Sequence, residues 1–511
     1  MNENVMSYKI TDSLPRWIVR LMYAVGAVIF VFCLIALCVY KKNYLALPIA
    51  ALLMLCARRA ASAVRTDSDA AALRIVILAS LAVYTLYDIL VPAVPDNDYR
   101  LMMESVSSLH DGTFWNRCRD ITDYFYYYNY QIGYMLYMYL IDLAARGNLV
   151  VFRGAEALVL TLTNVVFYKL VRTAWPVRKS LFCALAWLFF LPVILGCGVI
   201  NNQHLSALFL MLFLYLLARK EHRLSGCILA GVCIAFSVIF RPSALVMIYG
   251  YALLMGVMIL TDLTVRRGQK GHDWKRKLAE LALVAASYAV VYYGFNAILI
   301  LGFGTPYGVG SNPSDAVKFV EGLNNTRGTV TGYDGPGDAL YYDLQSMGFD
   351  YEKYRITAKE FLLSPGGIKP AFILKRLLYY FGDVDNMYGA IGILGKYTEP
   401  RTLFVLVLAV AGIAMYMISL VFTAVSVFAH RKMSGAFYYY LLFSGAHIFI
   451  ESQTRYRYEQ YIFLYLMAMP VLYDWCTGRR GTALKERFVS WRSFCRERTL
   501  PDKKTAGEEK N

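Results

Sequence analysis

Apolar runs long enough to cross a lipid bilayer recur along most of this chain, and that repetition constrains its fold more than any motif. A helix needs about 20 predominantly apolar residues to traverse a hydrocarbon core of ~30 Å. Such runs stand at approximately 17–40, 44–60, 72–92, 149–171, 180–199, 203–219, 224–240, 242–263, 279–302, 402–429, 435–450 and 456–475. Backbone groups in lipid must bond within their own segment or within a closed barrel. Short alternating segments of the barrel type do not dominate here, so the pattern predicts an all-α polytopic membrane protein. A weaker segment, about 130–146, holds Tyr134, Tyr137 and Tyr139 and ends at Asp142-Leu-Ala-Ala-Arg146. A single crossing there would put the basic loop at 172–179 on the outer face, so the segment reads as interfacial or re-entrant. The expected total is about 12–14 transmembrane helices. The first run lacks a small-residue cleavage site and reads as an anchor.

The net charge is +16 in 511 residues. Its location argues against a nucleic-acid surface. Basic residues gather in short loops (Arg58, Arg59 and Arg65; Arg172 to Lys179; Arg219 to Arg223; Arg266 to Lys277) and in the tail from Arg479 onward. That is the positive-inside pattern of a multi-pass plasma-membrane protein with both termini cytoplasmic. The chain then divides into a transmembrane module at 1–302 with an external loop at 93–129, an external cap at 303–401, further transmembrane helices at 402–475 and a basic tail at 476–511. Within the cap, 339–347 and 351–363 read as helices and 370–380 as an amphipathic one. Most of the ten cysteines sit in or beside apolar runs and read as buried small hydrophobes, with no disulfide framework.

Three polar constellations interrupt the apolar pattern on the outer face. Asp96 and Asp98 follow an early span, and the tyrosine-rich strip Tyr124 to Gly133 leads back towards the bilayer, offering Tyr124, Asn129 and Gln131. A carboxylate at a bilayer edge loses hydration and suits a general base. Asp98 followed by Tyr-Arg-Leu-Met and Glu104 equally fits the first turn of a helix. Glu451, Arg455, Arg457 and Glu459 open the last span. Two arginines entering from the outer side fit a lipid phosphate, through the planar guanidinium fork, or an ion pair with Glu451 or Glu459. The third group is Asn201-Asn202-Gln203-His204 with Arg241 at the next outer junction. Gln203 and His204 fit sugar hydroxyls or polar helix capping, and Arg241 a lipid phosphate or a snorkelling side chain. No metal-ligand spacing, phosphate-binding glycine loop or serine-nucleophile elbow appears. With no cytoplasmic domain large enough for a nucleotide sugar, a transferase of this build would use a lipid-linked donor.

Asn97-Asp98-Tyr99 after an early span, Tyr124-Phe125 followed by Asn129-Tyr130-Gln131-Ile132-Gly133, Glu321-Gly322-Leu323-Asn324 with Thr326 to Gly328, and Glu451 with Arg455-Tyr456 together resemble the GT-C superfamily of integral-membrane glycosyltransferases. Within it the chain is most similar to bacterial relatives of the dolichyl-phosphate-mannose protein mannosyltransferases. It departs from them at Tyr130, where proline is common, and at Glu321-Gly322, where relatives often carry Met-Met or Met-Gly. The resemblance implies an inverting transfer from a polyprenyl-phosphate sugar to an extracytoplasmic glycan, glycolipid or protein. It favours Asp98 over Asp96 as base and gives Arg455 the donor phosphate, with Arg457 and Arg241 in support. No cofactor is implied, since arginine alone can neutralise a lipid monophosphate. Two other readings use the same basic residues: a transporter or flippase of a lipid-linked glycan precursor, and a glycan polymerase or ligase with a lipid-pyrophosphate donor.

Overall fold

The computed structural model describes residues 14–91, 95, 98–219, 224–264, 274–310, 319, 322–323, 347–384, 399–429, 435–450 and 454–478. Asp96, Glu451, most of the Glu321 to Gly328 motif, most of the expected helix at 339–347 and the tail from Arg479 lie outside the described residues, as does the Arg455 side chain. Every regular element among the described residues is helical. The chain opens with α1 (Arg16–Ile35), α2 (Ala46–Ala63) and α3 (Asp69–Leu90). Four short helices follow: α4 (Asp98–Ser105), α5 (Ser107–His110), α6 (Phe114–Arg119) and α7 (Tyr124–Tyr127). The middle of the chain gives α8 (Ile132–Ala145), α9 (Leu149–Arg172), α10 (Val177–Leu188), α11 (Leu191–Cys197), α12 (Asn202–Ala218), α13 (Leu224–Phe240), α14 (Leu245–Thr264) and α15 (Trp274–Ala297). The remainder gives α16 (Tyr351–Leu363), α17 (Pro370–Phe381), α18 (Glu399–Ala424), α19 (Gly435–Phe449) and α20 (Tyr458–Cys476).

Seven of the described helices are long and apolar enough to cross a membrane, and the α10–α11 pair makes an eighth if it is one bent span. The protein is therefore an all-α polytopic membrane protein. The run expected at 180–199 is not one straight helix: α10 and α11 meet at 54°. Pro192 is the cause, because it has no N–H to donate to Leu188 and its ring would strike that carbonyl, so the helix stops and restarts. The weak segment at 130–146 gives the 14-residue α8, about 21 Å long, and it is not among the helices long and apolar enough to cross a membrane.

Burial sorts the helices by what they face. In α20 every residue from Tyr458 to Tyr473 is buried, packed by α10, α18 and α19. Its tyrosines, Glu459 and Gln460 are sheltered by protein, which explains how so polar a segment sits in the bundle. In α2 only Ala46 and Ala61 are buried, while Leu47, Leu52 and Leu55 are open to lipid. Polar pairs cross between spans: Asn164 of α9 donates to Ser80 Oγ of α3 at 2.8 Å, and the Ser206 and Ser237 hydroxyls of α12 and α13 meet at 3.0 Å.

The α13–α15 contact depends on Gly231, where an added Cβ would stand 1.9 Å from Ser287 Oγ and 2.4 Å from the Val284 carbonyl. Gly231→Val is expected to cost roughly 1–3 kcal/mol or more through this overpacking. Thermal unfolding in detergent checks it against Gly226→Val in the same helix, where nothing stands within 4 Å. Equal melting of the two variants would refute the close approach.

Candidate functional site

The short helices between α3 and α8 are braced before they meet the bundle. Asp123 caps α7 by accepting the Phe125 N–H at 2.9 Å, and its other oxygen accepts from Arg117 Nε at 2.9 Å. Arg117 also donates to Ser105 Oγ in the last turn of α4, at 2.6 Å. This ties α4, and Asp98 in its first turn, to the tyrosine strip. Asn129 Nδ2 donates to the Gly308 carbonyl at 2.6 Å, Tyr351 to the Ile121 carbonyl at 2.8 Å, and Arg119 to the Phe303 and Gly304 carbonyls. The strip is thereby clasped to the segments after α15 and at the start of α16.

Below this brace lies a cavity of about 330 Å³. Its polar wall carries Asp98, Gln131, Asn202, Arg241 and His447, and its apolar wall includes Leu245, Val246 and Phe319. One hydrogen-bonded chain crosses the polar wall. Gln131 Nε2 donates to the Tyr124 hydroxyl at 3.5 Å, Asn202 Nδ2 to Gln131 Oε1 at 3.0 Å, and Arg241 Nη1 to Asn202 Oδ1 at 3.1 Å. Arg241 Nε stands 3.1 Å from Glu459 Oε1 and from Ser243 Oγ, and the Ser243 hydroxyl donates to the same Glu459 oxygen at 3.0 Å. The guanidinium lies 5.1 Å from the centre of the Tyr456 ring. Burial, and then the nearby Asp98 carboxylate, push the Tyr124 hydroxyl well above its ordinary pKa, so it stays a donor at neutral pH.

The sequence-derived candidates therefore separate. Asp98, Gln131 and Arg241 share the cavity, with Tyr124 joined through Gln131. Arg457 stands apart from its lining: it is 1% exposed and donates through Nη1 to the Tyr380 and Asp383 carbonyls at 2.9 and 2.6 Å. The rings of Tyr380, Phe381, Tyr416 and Tyr461 surround it, Tyr416 at 4.2 Å. That cage holds the cation by carbonyls and aromatic faces. Asn129 serves the Gly308 clasp. Asn201 caps α12 by accepting the Gln203 N–H at 2.9 Å, and its Nδ2 donates to Gln203 Oε1 at 3.0 Å. The capping alternative describes this pair. His204 is wholly buried, with Nδ1 2.8 Å from Glu156 Oε2, and Tyr134 donates to the other Glu156 oxygen at 2.7 Å.

The expected ion pair of Arg457 with Glu459 does not form: Arg457 takes backbone carbonyls, and Glu459 takes Arg241 from the α13–α14 junction, while Glu451 and the Arg455 side chain lie outside the described residues. The polar cavity residues Asn202, Ser243 and His447 were not singled out from sequence. Asn202 was visible only as one member of a polar cluster, and His447 sits within an apolar run with no polar neighbour to flag it. Among the described residues no group of three or more His, Cys, Asp or Glu stands where it could hold a metal. Comparison with protein-family models, with curated proteins and with solved structures finds no significant match to this chain.

Proposed function

We propose that this protein is a membrane glycosyltransferase that moves a sugar from a polyprenyl-phosphate donor to an extracytoplasmic acceptor. One observation carries the reading: Asp98 and Arg241, far apart in sequence, line one cavity together with the apolar Leu245, Val246 and Phe319. In this reading Asp98 accepts the proton of the acceptor hydroxyl as that oxygen attacks the anomeric carbon. The bond from that carbon to the phosphate oxygen breaks, inverting the configuration, and Arg241 stabilises the charge that grows on the leaving lipid phosphate. Glu459 fixes the guanidinium in place, and Arg455 remains a second cation for the donor. Leu245, Val246 and Phe319 offer the apolar surface that the first isoprene units need.

The same reading sets a topology. The seven long helices and the bent pair, with α12, α13, α19 and α20 also crossing, give twelve spans and place both termini on the side of the basic loops. That side is the cytoplasm of a bacterial plasma membrane, and the cavity opens outside. The protein reconstituted in liposomes should release glycosylated acceptor from a polyprenyl-monophosphate sugar and none from the pyrophosphate-linked form. Product from the pyrophosphate donor alone would assign a ligase. Passage of the lipid-linked sugar across the bilayer without product would assign a flippase.

A further inference from the structure

At the end of α20 remote from the Asp98 cavity, a second recess of about 770 Å³ opens between α20 and α2. The 19 residues of α20 put roughly 28 Å between the two, the thickness of a bilayer core. Arg58, Arg59, Ser62 and Leu55 line the recess from α2, and Cys476 and Thr477 from α20. Both arginines are exposed and have no hydrogen-bond or ion-pair partner among the described residues.

Their lack of a partner is not for want of carboxylates at this end of the bundle. Asp67 and Asp69 follow α2 directly, but Asp67 pairs with Arg178, and Asp69 with Arg172 at 2.9 Å. Asp474, in the last turn of α20, pairs with Lys179 at 2.8 Å. The chain beyond, residues 479–511, holds ten Lys and Arg against five Asp and Glu, a net positive charge. Among the described residues, then, the carboxylates nearest this recess are already paired, and its two guanidiniums present positive charge suited to an anionic ligand. The surroundings select its kind: α2 is the most lipid-facing of the long helices, with Leu52 and Leu55 59% and 62% exposed on the way to the recess. A headgroup held by the arginines would have its acyl chains lie along those leucines. The Ser62 and Thr477 hydroxyls bond to their own helices, donating to the Arg59 and Tyr473 carbonyls, and keep lone pairs rather than protons for a visitor. The guanidiniums therefore supply the binding.

We propose that this recess is a binding site for an anionic phospholipid, with Arg58 and Arg59 holding the headgroup phosphate and α2 receiving the acyl chains. The site is independent of the transfer chemistry proposed above. The full-length protein in phosphatidylcholine nanodiscs doped with phosphatidylglycerol provides the test, with retained lipids counted by native mass spectrometry after detergent extraction. The parent protein should prefer phosphatidylglycerol to phosphatidylcholine by roughly tenfold to thirtyfold, from about two basic contacts. Arg58→Gln/Arg59→Gln should bring that preference close to unity while melting like the parent in phosphatidylcholine alone. Arg16→Gln/Arg20→Gln, which removes equal charge elsewhere, should leave it intact. Equal loss in both double variants would overturn the site in favour of diffuse surface attraction. Displacement of phosphatidylglycerol by inorganic phosphate would overturn the lipid assignment, whereas retention against it supports it.

Discussion

Asp98→Asn is expected to lower turnover by roughly 10²- to 10⁴-fold, the range associated with a positioned general base, while the protein accumulates and melts much as the parent does. The substitution keeps the shape of the side chain and removes its ability to take a proton. Asp98 is half-buried in the first turn of α4 and lines the cavity. Its favourable interaction with the helix N-terminus contributes only about 0.3–1 kcal/mol, and the Arg117 bonds to Asp123 and Ser105 still anchor the far end of α4. The two roles open to Asp98 therefore separate cleanly. If it merely opens a helix, the variant loses a little stability and no activity. Single-turnover measurements with bound donor would decide, and a rate near the parent's would end the case for Asp98 as base.

Glu459→Gln is expected to be the most destabilising change in the cavity wall, costing about 3–5 kcal/mol, because it strands the buried Arg241 charge. Glu459 is 0% exposed and stands 3.1 Å from the guanidinium. The double variant Arg241→Gln/Glu459→Gln should recover most of that loss, since no uncompensated ion remains. It should not recover transfer, because removing one charge-stabilising donor from the leaving phosphate typically costs 10²–10³-fold. Unfolding in detergent measures the first effect and product formation the second. Additive destabilisation in the double variant would show that the pair is not coupled.

The alternation of apolar runs and basic loops made the helical membrane architecture legible, because bilayer thickness and positive-inside bias act on local sequence. Helices α16 and α17 were legible for a similar reason: Asp350 caps α16 and Pro370 opens α17, both signals confined to a few residues. The break at Pro192 was legible in principle, but the surrounding run is apolar enough to read as one span. Pairings between helices were not legible. Nothing near Arg241 points to Glu459, and nothing near Arg457 announces the rings of Tyr380 and Tyr416. Such contacts depend on how the helices are arranged around α20, which periodicity along one helix does not encode. His447 shows the same limit: a single histidine in an apolar run looks like core until the fold brings it to the cavity that Asp98 also lines.

Two buried arginines near this site reach in opposite directions. Arg376 of α17 donates to the Ile448 and Ile450 carbonyls at the end of α19, at 2.9 and 2.6 Å. Arg457, at the start of α20, reaches back to the carbonyls that end α17. The ends of α19 and α17 are thus each held by a cation from another part of the bundle, and pulling either away would leave a buried charge without its partners, which is costly. The two cations tie α17, α19 and the start of α20 into one unit on the side of the cavity lined by His447, Ile450 and Tyr456.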